Sequence, residues 1–395
     1  MRDKIFTEVD RISEELILHR RHLHQNPETG FETLETEAYI REFLLSEGIE
    51  VLDSTIGVLG VIRSGKEENF IALRADIDAL ELDERTQAEY SSKKKGKMHA
   101  CGHDGHTAML MGCAKVLQKY RKSLKYNVLL LFQPAEEGPN LGGARIMLMD
   151  LEALELLPKI KAVYALHLNC ELNTGVFGLK YGSSMASTDE FSIDIIGKGG
   201  HPGEPQYNVD AISVASKFIE GIESFLAKNK DPLEPAVFSI GMIRGGSARN
   251  VVSEHCNLQG TIRCQSEETR QQLLDYMEKL LQGICFYSKA RYELDLLHGL
   301  PVLHNDKKLM SFVEEEIDNC FGREAKHIYE KPRMGAEDFS YFAQKLPVAF
   351  IWVGARNEEL GCIYNMHNPK FNIDEKALAY GSKLLSMLAM DSREL

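Results

Sequence analysis

Met98-His99-Ala100-Cys101-Gly102-His103-Asp104-Gly105-His106 places a thiol, three imidazoles and a carboxylate within nine residues. Those groups bind a borderline divalent cation such as zinc. The two glycines let the backbone turn tightly enough to aim several of them at one point. The same nonapeptide also reads as a polar loop in which histidines happen to be neighbours, because short motifs match by chance. The surrounding frame decides between the two. An apolar run at 70–75 leads into Asp76-Ile77-Asp78, just before the nonapeptide. After it, a helix is predicted from about Thr107, through Ala108, Leu110, Met111, Ala114 and Leu117. A second apolar run at 128–132 delivers Gln133-Pro134-Ala135-Glu136-Glu137-Gly138, and a third at 162–168 delivers His167. Short apolar runs alternating with helices predict an α/β core with a largely parallel sheet. In such sheets functional groups gather at strand ends. The pattern puts Asp76, Asp78, Glu136, Glu137 and His167 there.

Outward from this core, residues 4–24 have helical apolar spacing and should stop before Pro27; their His19, His22 and His24 read as surface residues. Another amphipathic helix is predicted over 35–47, ending at Gly48, followed by an apolar strand at 58–62. The texture changes near 185. Residues 189–197 alternate, a helix covers 208–227, strands follow at 236–243 and 255–264, a helix fills 266–282, and a strand lies at 291–298. That β-α-β-β-α-β order predicts a smaller α+β insert of split-βαβ, ferredoxin-like type. From about 300 the α/β pattern resumes, with a helix at 306–320, a strand at 348–353 and a closing helix at 374–391. The predicted organisation is a catalytic domain in two segments, 1–185 and 299–395, with an inserted domain at 186–298. Two domains also suit 395 residues, at ~100–200 residues per domain.

Composition limits the partners. Net charge is −13, from 59 acidic against 46 basic residues, which argues against nucleic acid or an anionic membrane surface. The basic run at 93–97 reads as a solvated loop. No stretch approaches the ~18 apolar residues of a membrane span. The charged N-terminus MRDKIFTEVDRISEEL lacks the apolar region of a secretory signal. Eight cysteines (Cys101, Cys113, Cys170, Cys256, Cys264, Cys285, Cys320 and Cys362) have no paired spacing and read as reduced thiols, so the cytoplasm is the expected location.

Cys101 and His103 need further ligands to hold metal. Glu136, Glu137 and His167 are candidates, as is His367 in Asn365-Met366-His367-Asn368-Pro369. A soft donor shared between imidazoles and carboxylates would make a two-metal site, its ions ~3.5–4 Å apart. Each residue alone has an ordinary explanation as a turn or core residue; together they supply the required types.

At this point the chain resembles a known family. His-Ala-Cys-Gly-His-Asp-Gly-His-Thr-Ala (99–108) looks like the signature of the amidohydrolase branch of the aminoacylase/carboxypeptidase family of two-metal metallopeptidases. Phe-Gln-Pro-Ala-Glu-Glu-Gly (132–138), Leu-His-Leu (166–168), Gly-Lys-Gly-Gly-His (197–201), Gly-Gly-Ser-Ala-Arg-Asn-Val-Val (245–252), Gly-Ala-Glu-Asp-Phe (335–339) and His-Asn-Pro (367–369) follow in the family's order. Aminoacylases, hippurate hydrolases, N-acetyl-diaminopimelate deacetylases and plant hydrolases of auxin–amino acid conjugates belong to this branch. The resemblance implies two divalent ions per chain (zinc, manganese, cobalt or nickel) held by Cys101, His103, Glu137, His167 and His367, with Cys101 bridging. It implies Glu136 as general base and later acid, and Asp78 as a carboxylate that orients a ligand. His201 and Asn250 would stabilise the oxyanion, Gly335 would offer a backbone contact to substrate, and the inserted domain would act as lid and dimerisation domain of a homodimer or tetramer. Two departures stand out. Pro202-Gly203-Glu204-Pro205-Gln206 replaces the usual Ala-Ala-x-Pro-His, which bears on substrate preference, and Glu81 stands where a proline is usual. The expected activity is hydrolysis of N-acyl amino acids or related small amides by a metal-activated water. A dipeptidase or carboxypeptidase is the enzymatic rival, and a catalytically silent metal-binding module is the rival from another class.

Overall fold

In the structure, a computed structural model that describes residues 1–138 and 142–392, the apolar runs form the middle of an eight-stranded sheet. Strands Asn127–Gln133, Phe70–Asp76, Ile160–Asn173 and Val348–Arg356 lie side by side in that order, all parallel. Phe70–Asp76 and Asn127–Gln133 are buried along their whole length, as continuous apolar strands covered on both faces should be. The flanks are not parallel: Val58–Ile62 pairs antiparallel with Asn127–Gln133, and Phe177–Leu179 antiparallel with Val348–Arg356. The sheet is therefore mixed, and the largely parallel character predicted for it belongs to its central four strands.

Helix His103–Lys119 is almost entirely buried and packs against helices Ser13–Gln25 and Lys376–Met390. The predicted N-terminal helix is two helices, Arg2–Arg11 and Ser13–Gln25, which meet at Ile12. His24 departs from the expectation of a surface residue. It is 1% exposed and lies 2.7 Å through Nδ1 from Asp104 Oδ2, an acceptor that also takes Arg20 Nε at 3.1 Å. A histidine on a charged helix is buried here because a buried carboxylate meets it. The lysines of the basic run instead pair outward, Lys94 with Glu35 at 2.7 Å, as a solvated loop does.

The chain divides into two compact units: residues 1–182, 304–331 and 338–395 form one, and residues 183–303 and 332–337 the other. The second unit holds a four-stranded antiparallel sheet in the order Arg291–His298, Asp189–Ile196, His255–Cys264, Ala236–Gly245, with helices Ala211–Lys228 and Glu267–Ser288. Phe191, Ile193 and Ile195 alternate toward Phe218, Ile222, Leu273 and Met277 of these helices. Asp210 and Ser266 cap the helices, accepting from the N–H groups of Ile212 and Thr269. The segment 332–337, which carries Gly335 and which the predicted organisation leaves in the catalytic domain, belongs to this unit.

Candidate metal centre

The sheet register sets the floor of the site. Asp76 pairs with Gln133 at the last rung between their strands. On its other side that strand pairs as far as Arg74 with Ala165, so His167, two residues on, is level with Asp76. His167 is therefore not at a strand end as expected: its own strand continues to Asn173, and it is the neighbouring strand that stops. Three segments thus deliver side chains to one edge, and the nonapeptide arrives above them. Gly102, at φ +96, makes the turn that starts the helix at His103, four residues before the predicted start. Gly105 serves packing instead of turning: it is helical, and a Cβ there would lie 2.5 Å from Leu168 Cδ1.

Two of the resulting groups of ligand atoms, each within 4.8 Å of one another, share a residue: Cys101, His103 and His167, and Cys101, Glu137 and His367. Cys101 belongs to both. His167 Nε2 lies 3.6 Å from Cys101 Sγ, while its Nδ1 donates to the Leu168 carbonyl at 2.9 Å, which leaves the Nε2 lone pair facing the thiol. His367 reaches the site from the far end of the chain because its N–H donates to the Ala100 carbonyl at 2.8 Å. Its Nε2 lies 2.8 Å from Glu137 Oε1, an ion-pair contact without hydrogen-bond alignment. His367 at φ +66 and Ala135 at φ +57 hold left-handed backbone on either side of the centre. Such conformations cost ~1–3 kcal/mol in a residue with a Cβ and cluster at functional sites.

Asp78 takes a specific part. Its two oxygens accept the N–H groups of Glu136 and Glu137, both at 3.0 Å, and Oδ1 lies 3.5 Å from His103 Nδ1. One buried carboxylate thus holds the turn that presents both glutamates. Glu136 Oε2 lies 3.8 Å from His103 Nε2.

The electrostatics call for a cation. Both ring nitrogens of His103 are buried without a hydrogen-bond partner. A buried polar atom left so costs ~1–3 kcal/mol. Burial would lower the His103 pKa, but Asp76, Asp78 and Glu137 outweigh it and lift it to about 10. Burial, then Glu137, Glu136 and Asp76, push the Cys101 thiol well above its ordinary value. A field that protonates an imidazole and suppresses a thiolate is one that a divalent cation would neutralise, releasing both protons as it bound. The residues present fit two such ions.

The second unit carries the remaining expected residues. Its Gly200–Val252 bridge brings the segments bearing His201 and Asn250 side by side, and both residues are exposed. His201 Nδ1 accepts the Gly203 N–H at 3.1 Å, so the proton of the neutral ring sits on Nε2 as a donor. The Gly335 carbonyl accepts from Ala186 at 2.9 Å. The sequence reading did not assign a role to Arg74, which is 1% exposed and bonds Asp76, Asp338 and Gln133 beneath the site. An arginine inside an apolar strand run was the available signal.

With this geometry in hand, comparison with known proteins is specific. The sequence pattern of peptidase family M20/M25/M40 matches residues 72–391. Thermostable carboxypeptidase 2 of Saccharolobus solfataricus is 36% identical over 392 residues, 98% of each chain. N-acetylcysteine deacetylase of Bacillus subtilis is 37% identical over 378 residues, 95% of this chain and 96% of the relative. The crystal structure of the Bacillus subtilis YXEP protein, described as a dinuclear metal-binding peptidase of the M20 family, superposes with a TM-score of 0.81 at 33% identity, covering 96% of this chain and 98% of that one.

Proposed function

The chain belongs to peptidase family M20/M25/M40 and is a metal-dependent amidohydrolase, and we propose that it releases amino acids from N-acyl amino acids, using Glu136 as the base. The observation that carries this reading is the pair of ligand triads meeting at Cys101, with Glu136 held beside them by Asp78. Two divalent ions, when bound there, would polarise the scissile carbonyl and lower the pKa of the attacking water toward ~7. Cys101, His103, Glu137, His167 and His367 would hold them. Glu136 takes the proton of the attacking water and hands it to the leaving amine. His201, with Nε2–H free to donate, and Asn250 are assigned to the carbonyl oxygen as its charge develops, and Gly335 to the substrate backbone. Both assignments rest on resemblance.

A second reading, cleavage of short peptides, is favoured by the carboxypeptidase relative. One assay separates the two. The protein is stripped with a chelator, reloaded with zinc, manganese, cobalt or nickel, and offered N-acetyl, N-benzoyl and other aromatic-acyl amino acids beside dipeptides. Metal-restored release of amino acid from the acylated substrates, reduced in His201→Ala and Asn250→Ala, supports the proposal. Faster turnover of dipeptides replaces it with the peptidase reading. No turnover with two ions bound leaves a silent module.

The homodimer belongs to the same proposal. Strand Ala236–Gly245 lies at the edge of its sheet and exposes Val237, Met242 and Ile243 at 44%, 38% and 58%. A ten-residue edge of this kind is a ready template for pairing with another chain. Sedimentation should show a dimer that Ile243→Lys weakens; a native chain that stays monomeric at every concentration removes the proposal. The cytoplasm is the proposed location, on the ground that the eight cysteines are free thiols, most of them buried; among the described residues no helix is long and apolar enough to cross a membrane.

A further inference from the structure

His106 lies three residues from His103 on the same helix, faces the same site, and forms with Asp76 and His103 another cluster of ligand-type atoms. By residue type it qualifies as a metal ligand. Its hydrogen bonds say otherwise. Leu168 N–H donates to His106 Nε2 at 2.8 Å. A backbone N–H can only donate, so Nε2 is the unprotonated nitrogen. His106 Nδ1 lies 2.5 Å from Asp76 Oδ1, and it is therefore the nitrogen that carries the proton. Both ring positions are committed, in a residue only 2% exposed. Coordination would require breaking one of two buried hydrogen bonds.

What those bonds hold is the ligand next door. Strand Phe70–Asp76 ends beside Ile160–Asn173, leaving Leu168 N–H without a neighbouring strand on that side. The His106 imidazole takes the place of the missing carbonyl. Leu168 is also the residue whose carbonyl accepts His167 Nδ1 and turns Nε2 toward Cys101. A continuous path therefore runs from Asp76 through His106 and Leu168 to His167. Asp76 is itself fixed: Arg74 Nη1 donates to its Oδ2 at 2.7 Å, and Arg74 Nη2 donates to Asp338 at 3.0 Å. Asp338 accepts from Ala144 N–H at 3.0 Å and from Gln133 Nε2, which ties the path to the strand that delivers Glu136 and Glu137. Arg74, Asp76, Gln133 and Asp338 are all at most 1% exposed.

We propose that His106 is a positioning residue of the metal centre and not one of its ligands: it suspends the Leu168 peptide from Asp76 and so aims His167. The proposal rests on the metal-centre reading above. Groups that orient a ligand usually change metal affinity ~10–100-fold when removed.

The test uses the full chain loaded with zinc and the variants His106→Leu and His106→Gln. Leucine removes both hydrogen bonds; glutamine supplies an amide donor and a carbonyl acceptor. In His106→Leu the affinity for one of the two ions should fall ~10–100-fold, while two ions still bind at saturating metal. His106→Gln should recover part of the loss. In the native zinc-loaded protein, nitrogen NMR should show His106 with a protonated Nδ1 and a bare, uncoordinated Nε2. A stoichiometry of one ion at saturating metal, or a His106 nitrogen shifted by zinc, makes it a ligand and overturns the proposal. Unchanged affinity in His106→Leu overturns it as well. If that variant does not fold, the NMR measurement and His106→Gln decide. A native chain that binds no metal at all would instead remove the metal-centre reading itself.

Discussion

Glu136→Gln is expected to lower kcat about 10²–10⁴-fold, the usual worth of a positioned general base, while both ions remain bound. The substitution keeps the shape of the side chain and the backbone N–H that Asp78 holds at 3.0 Å, so the neighbouring Glu137 stays where it is. What is lost is the capacity to accept a proton, and with it the charge that helps to raise the Cys101 pKa. Glu137→Gln should behave differently. Glu137 shares a ligand cluster with Cys101 and His367, and its contact with His367, together with the nearby His103, draws its pKa down against the effect of burial. Its neutral amide should weaken metal binding as well as turnover. Metal analysis after gel filtration, beside initial rates at saturating substrate, separates the two. Loss of metal from Glu136→Gln with retention in Glu137→Gln would mean that the two glutamates have exchanged roles.

Cys101→Ala should empty the centre, whereas His367→Ala should empty half of it. The reason is the sharing: Cys101 is common to both ligand triads, and His367 belongs to one. Bound metal should fall from two ions per chain to none in the first variant and to one in the second. Affinity should fall by more than the ~10–100-fold typical of a group that only orients a ligand, and amide hydrolysis should be lost in both. The chain's single tryptophan provides an optical check, since Trp352 packs against His167 with ring centroids 5.0 Å apart. Metal addition should change its fluorescence in His367→Ala and leave it unchanged in Cys101→Ala. Equal loss of metal in the two variants would show that Cys101 does not bridge.

Much of this protein is written locally. Apolar runs at 70–75, 128–132 and 162–168 predict three central strands because a strand buried on both faces needs continuous apolar sequence, and the structure has Phe70–Asp76, Asn127–Gln133 and Ile160–Asn173 there. Alternation at 189–197 likewise marks Asp189–Ile196. Strands as short as Phe177–Leu179 and Lys326–Ile328 escape because three residues carry no periodicity. The chemistry of the centre is legible too, since a thiol, imidazoles and carboxylates are of the right types wherever they converge.

What the sequence by itself determined, then, is the set of strands and the kinds of donor they deliver. Tertiary structure alone decided which donors are left with a lone pair to give. His103 and His106 are the same residue type, three positions apart on one helix, yet the nitrogens of one have no hydrogen-bond partner while both nitrogens of the other are occupied, by Asp76 and by Leu168. His24 reads as a surface residue until Asp104, 80 positions later, is found against it. The physical reason is the same in each case. Periodicity and residue type are properties of a few neighbouring positions, but the occupancy of a ring nitrogen depends on whichever donor or acceptor the fold brings within about 3 Å, and those partners come from distant parts of the chain.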